Sequence, residues 1–367
     1  MPQTPAHLAI DFATGLIAPK SIKPCDRGLF GGVEFAPENR ANSAPLQAGA
    51  ALLAAMLTVA LVATLAAAAM WQQWRGVEVE AAERARVQSA WLLGGALDWG
   101  RLILRVDDDR QADHLGEPWA VPLAEARIST FLTAGADTSD LGRDAFLSGG
   151  IADLQARMNV LHLAPQAGAP PQEAQQSRQR FARLFALLGL PAHELDALAE
   201  HLNKAASALT QPAQQGQAAL AAPMPLRADQ LGWLGAAPAT LAALLPHITL
   251  LPQRTPVNLN TASAEVIHAV TGIDLASAQR MAAARAARPF KNIIDAAQAA
   301  GSAQQQVREC PAQWCDVRSS FFEVQGRLRL DDVALQETAA VQRGQGRHPP
   351  VTVLWRQRQP LTGLKQD

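Results

Sequence analysis

The chain has 367 residues, with 32 Lys and Arg against 33 Asp and Glu. A formal net charge of −1 excludes a chain drawn to nucleic acid by overall charge, and the length leaves room for more than one domain. Tyrosine is absent, and we have no physical account of that.

Residues 1–49 are rich in Pro, Ala and Gly without a sustained period, so they read as a leader. No charged residue occurs from Ala41 to Trp74, and Ala50–Trp71 is almost purely aliphatic. A bilayer-crossing helix needs about 20 apolar residues, whereas the core of a secretory signal has about 7–15. The run therefore predicts a membrane helix over 50–72. Lys20, Lys23, Arg27 and Arg40 precede it, and Arg75, Glu78, Glu80 and Glu83 follow. That asymmetry favours a cytoplasmic N-terminus and, in a bacterium, a periplasmic remainder. Trp71 and Trp74 stand where an interfacial aromatic belt belongs. Val77, Ala81, Ala85, Gln88, Leu92, Ala96, Trp99 and Ile103 then keep a step of three or four. This predicts an amphipathic continuation of the same helix over 73–105.

Residues 107–122 read as a loop. Asp107, Asp108, Asp109 and Asp113 lack the alternating spacing and central glycine of an EF-hand, so a solvated acidic turn is expected. Glu125–Leu132 and Gly150–Asp153 have strand character, and residues 164–178 read as a Pro/Gln/Ala-rich linker. A helical block follows: Arg178–Leu188, Ala192–Ala206, an exposed loop over Ser207–Pro225, then Arg227–Leu234, Pro238–Pro246, Ala262–Val270, Leu275–Ala287 and Ile293–Ala300. Ser320–Leu330 alternates, with Phe322, Val324, Gly326, Leu328 and Leu330 on one face. Val333–Gln342 and Val351–Arg356 read as its antiparallel partners. Sheet segments thus flank the helices. The expected fold is α+β, a long N-terminal helix packed on a small antiparallel sheet, with a large all-α insert. The expected divisions are 106–165 and 316–367 for the sheet and 166–315 for the insert.

Cys310 and Cys315 lie close together. A small-loop disulfide, half of a zinc site and free thiols are the open readings; no second Cys or His pair stands nearby for zinc. Cys25 has no partner on its side of the membrane. The histidines fall in no HExxH spacing, and neither a Gly-rich phosphate loop nor a GxSxG occurs. No enzyme signature is present.

One motif within the block, Asn258–Ile267 followed by Thr271-Gly272-Ile273-Asp274, resembles the helix-hairpin-helix module of DNA-uptake and DNA-repair proteins. Those hairpins read Gly-Ile-Gly and offer backbone amides to a phosphate. Here Asp274 replaces the second glycine, where its charge repels a phosphate and its side chain suits an N-cap. DNA binding and plain packing both remain open.

The whole constellation resembles the minor pseudopilin K family of type II secretion systems. The matching pieces are Gly49–Leu53, Val77–Ala85, Gln88–Trp91, Leu97-Asp98-Trp99, Glu117–Ala120, Asn258–Ala262 and Phe321–Val324, in the family's order across residues 48–358. The resemblance implies a pilin-like fold and cleavage by a prepilin peptidase between Gly49 and Ala50, with methylation of the new N-terminus. It implies minor pseudopilins I and J and other secretion-machinery subunits as partners, a place at the pseudopilus tip, and a role in export of folded proteins. It also implies calcium in the pseudopilin domain of some members, without indicating ligands here. Most pseudopilins carry Glu at the fifth mature position; this chain has Ala54. A tip subunit has no neighbour ahead of it to pair such a charge in lipid, although any plain membrane helix would also lack it. The rival readings are a membrane-anchored DNA receptor and an anchored periplasmic enzyme.

Overall fold

The computed structural model describes residues 47–107, 111–128, 145–164, 170–210, 223–330, 333–346 and 349–361. The leader through residue 46, Cys25, and Asp108 and Asp109 lie outside them. The chain divides into two compact units, residues 1–75 and 76–367, and helix α1 (Gln47–Val106) contributes to each.

In the first unit α1 is exposed on every side from Ala50 on, and it is long and apolar enough to cross a membrane. Its two hydroxyls are satisfied within the helix: Thr58 Oγ1 donates to Ala55 O at 2.8 Å and Thr64 Oγ1 to Leu61 O at 2.9 Å. No polar group of these side chains is left for lipid to meet. Trp71 and Trp74 lie 5.6 Å apart at the charged end of the run.

In the second unit α1 packs on a sheet of β1 (Leu123–Arg127), β2 (Ala145–Asp153), β7 (Phe321–Leu330), β8 (Val333–Arg343) and β9 (Val351–Pro360). The order is β1-β2-β7-β8-β9, antiparallel throughout. The inward face of β7 carries Phe322, Val324, Gly326 and Leu328, the phase that alternation predicted. The buried stripe of α1 is Ser89, Leu93, Leu97, Gly100 and Leu104, and so it corrects the expected one. Gly100 lies on that stripe. A Cβ there would sit 2.7 Å from Val324 Cγ1, so the helix meets the sheet closely at this glycine, with Trp99 turned outward. Leu97, Leu104, Trp119, Phe322 and Val324 form the core beneath it.

β2 and β7 are neighbours, paired as far as Asp153↔Phe322. Everything between them is an excursion from the sheet, wider than the 166–315 block read from composition. It contains β3 (Met158–Asn159), α2 (Pro171–Leu187), α3 (Ala192–Thr210), a 3-10 turn at Ala228–Leu234, α4 (Pro238–Leu244), β4 (Ile248–Thr249) and β5 (Val257–Asn258). Then come α5 (Ala264–Thr271), α6 (Leu275–Ala287), α7 (Ile293–Ala299), α8 (Gln304–Arg308) and β6 (Cys315–Asp316). Residues 171–178, expected as linker, are helical because Pro171 sits at the first helical position, where its missing N–H costs nothing. The excursion has its own core, including Phe181, Leu202, Val266, Ile267, Met281 and Trp314.

Candidate functional site

The segment Asn258-Leu259-Asn260-Thr261-Ala262 is the clasp between insert and sheet. Asn258 is fully buried, and its Nδ2 donates to Asp153 Oδ2 at 3.1 Å, Ser319 Oγ at 2.9 Å and Asp113 O at 3.1 Å. Its Oδ1 accepts from the Asn260 N–H at 2.9 Å, turning the chain toward α5. Asp153, the last residue of β2, also accepts from the hydroxyls of Thr261 and Ser319, each at 2.6 Å, and from the Gln155 N–H at 2.7 Å. Burial pushes its carboxyl above the usual range even with these donors. Asn260 exchanges two bonds with the Phe290 backbone, donating from Nδ2 and accepting at Oδ1, both 2.8 Å. Arg285 reaches back from α6 to the carbonyls of Leu259 and Ala262.

A second tier stands beside it. Arg343, at the end of β8 and 2% exposed, bridges Asp107 and Asp113 with its guanidinium and donates to Ser319 O at 2.8 Å. Asp113 Oδ2 accepts from the Ser319 N–H at 2.7 Å. Burial raises the Asp113 carboxyl to about 7, with Arg343 pulling the other way. The expected solvated turn is therefore corrected: Asp113 is buried, because a strand end far along the chain supplies its counter-ion.

Asp107, Asp113 and Glu117 bring their carboxylates within 4.8 Å of one another, which invites a cation reading. The donors already present do not fit calcium. Arg343 occupies the space between the aspartates, and Glu117 Oε2 accepts from the His114 N–H at 2.8 Å and Trp119 Nε1–H at 2.7 Å. A hard cation needs carboxylate oxygens free to turn toward it.

The hairpin at Gly272-Ile273-Asp274 is closed on itself. Gly272 has φ 80° and its N–H caps α5 through His268 O at 2.8 Å. Asp274 caps α6, accepting from the Ser277 N–H at 2.9 Å and the Ser277 hydroxyl at 2.6 Å, and these bonds hold its carboxyl below the usual range. Arg183 lies over Gly272 and donates to Ala269 O at 3.0 Å, while Arg180 donates to Val270 O at 3.1 Å. The nearby positive charge thus serves the carbonyl end of α5, and a fixed carboxylate stands where a phosphate would approach. Packing is the use the geometry supports.

Cys310 and Cys315 are joined as a disulfide, Cα to Cα 6.0 Å. Gly49 and Ala50 lie in the first turn of α1. Trp91 and Trp99 leave the second unit's part of α1 with an uncovered apolar face, 78% and 62% exposed. Sequence reasoning found Asn258 through its motif but missed Asp153, Ser319 and Arg343, for which no local pattern exists.

Two family models, both described as type II secretion system protein K, match residues 156–253 and 257–312. A curated relative, type II secretion system protein K of Pseudomonas aeruginosa, is 28% identical over 270 residues, covering 68% of this chain and 75% of that one. Among solved structures, a chain of the GspK-GspI-GspJ complex from the enterotoxigenic Escherichia coli type 2 secretion system aligns with a TM-score of 0.55. That alignment has 18% identity and covers 76% of this chain and 98% of the other, a likeness of fold. Family models described as type II secretion system protein K match both halves of the excursion, and together with the curated relative they support a minor pseudopilin of that kind.

Proposed function

We propose that this chain caps the pseudopilus of a type II secretion system and takes part in export of folded proteins, as a structural subunit and not a catalyst. The first part of α1 anchors it in the inner membrane as a single span, with the second unit in the periplasm. A prepilin peptidase cuts between Gly49 and Ala50, and minor pseudopilins I and J join it from below.

The observation that carries this reading is the uncovered face of α1. Trp91, Trp99, Leu102 and Val106 are all exposed while the opposite face is buried on the sheet. An apolar stripe of that kind is what neighbouring pseudopilin helices would cover. Ala54 in place of a glutamate fits a subunit with none ahead of it, and the bulky insert between β2 and β7 suits an end that no further subunit must cover.

Two measurements test the proposal. Intact mass and N-terminal sequencing of the membrane-extracted protein, with and without prepilin peptidase, should give a peptidase-dependent start at Ala50. Co-purification with pseudopilins I and J should be lost in a Trp91→Glu, Trp99→Glu variant. An uncleaved chain, or capture of both partners by that variant at the wild-type level, would sink it.

A further inference from the structure

The strand that carries Asn258 is held by a strand that starts at a disulfide. β5 and β6 pair in parallel at Val257↔Cys315 and Asn258↔Asp316. Val257 N–H donates to Trp314 O and Leu259 N–H to Asp316 O, both at 2.9 Å. The loop closed by Cys310 and Cys315 contains Trp314, which is buried and stacked on His162 at 4.0 Å. The Arg180 guanidinium lies 4.9 Å from the Trp314 ring. Just beyond β6, Ser319 bonds both Asp113 and Asp153. One short segment, 310–319, therefore supplies the partner of β5, an aromatic plug for the insert core and a member of the clasp.

We propose that the Cys310–Cys315 disulfide is a redox latch that makes docking of the helical insert on the sheet depend on an oxidising compartment. With both sulfurs as thiols, residues 310–316 lose their fixed path, β5 loses its partner, and Asn258 is no longer held against Asp153 and Ser319. The bond closes a short loop, which restrains the unfolded chain less than a long one would, so its distinctive effect is local. Cys315 is buried and Cys310 half-buried, so exchange enters at Cys310. The Cys310 thiolate attacks the disulfide of a dithiol–disulfide oxidant, forming a mixed disulfide and releasing one oxidant thiolate. The Cys315 thiolate then displaces the second. Two protons and two electrons leave the pair, and the oxidant's disulfide becomes two thiols. The inference stands apart from the tip role and does not depend on it.

The test is hydrogen exchange on the full chain in detergent, oxidised and after a phosphine reductant, with alkylation and mass counting the freed thiols. A Cys310→Ser, Cys315→Ser variant supplies the open state even where the reductant cannot reach. Expected is exchange at least about tenfold faster at Val257, Leu259, Asp113 and Ser319, with amides of β8 and of α3 and α6 unchanged. Unchanged exchange at the clasp overturns the proposal. So does a uniform acceleration through α3, α6 and β8, which would make the bond an ordinary stabilising cross-link.

Discussion

Replacing Asn258 with Leu keeps the branching of the side chain, exchanges its amide for two bulkier methyls and removes at once the contacts of Nδ2, whose two hydrogens are shared among three acceptors, and the bond to Oδ1. The losses are unequal. Asp153 keeps Thr261, Ser319 and Gln155 as donors, so its carboxylate is weakened and not abandoned. The Asn260 N–H loses its acceptor in a position 1% exposed. A net hydrogen bond is worth about 0.5–1.5 kcal/mol and an orphaned buried donor costs about 1–3 kcal/mol, so the change should cost about 3 kcal/mol. Unfolding free energies run to about 5–15 kcal/mol, so this is a large share. At about 2–4 °C per kcal/mol for a domain of this order of size, the midpoint should fall by about 6–12 °C. Thermal unfolding of the full chain, followed by tryptophan emission, reads it, because Trp119 and Trp314 are both buried, one on each side of the clasp. Asn258→Asp should be worse, since it sets a second carboxylate against Asp153. If Asn258→Leu lowers the midpoint by less than about 2 °C, the clasp is not what couples insert to sheet.

Glycines on α1 should respond with opposite signs. Gly95 has open space around it, so Gly95→Ala should stabilise by about 0.5–1 kcal/mol, whereas Gly100→Val drives its side chain into Val324 and should cost about 1–3 kcal/mol. Matching shifts in thermal midpoint would show that Gly100 is not the point of closest approach. His162 donates to Thr255 O at 3.0 Å, and burial lowers its pKa to about 4. Its folded value lies below the unfolded one of 6.5, so the neutral ring's stabilisation is complete above pH 6.5 and is lost as pH falls toward 4. Relative to His162→Gln, the wild type should lose up to about 3 kcal/mol across that window, and a flat difference in denaturant titrations would refute it. Asp274→Gly restores the Gly-Ile-Gly pattern; it should lower thermal stability by removing the α6 cap and gain no salt-sensitive retention of duplex DNA. Retention in a filter assay would reopen the DNA reading.

Periodicity made much of the fold legible. The apolar run, the span Leu275–Ala287 of α6 and the inward phase of β7 follow from spacing alone, because one face of each is uniform in character. On α1 the spacing misled. Alanine, leucine and tryptophan occur around the whole helix, so hydropathy could not say which face meets the sheet, and the close approaches at Gly100 and Gly326 were invisible to it. The clasp was half legible. Asn258 belongs to a recognisable run, but its partners Asp153 and Ser319 are 105 and 61 residues away, and Arg343 is 230 from Asp113. Buried charge pairs of that separation leave no local pattern, and an acidic run such as 107–113 looks solvated until its cation arrives. The expected cleavage site rests on resemblance, since a peptide bond in a helix carries no geometric mark of being cut.

The excursion between Asp153 and Phe321 leaves and re-enters the sheet on paired strands, about 5 Å apart. Two ends that close can be joined by a tight turn without moving any ladder bond. The sheet therefore works as a socket with a fixed opening. Whatever folds between those two points can grow, shrink or be exchanged over evolution while the register of all the strands around it stays the same.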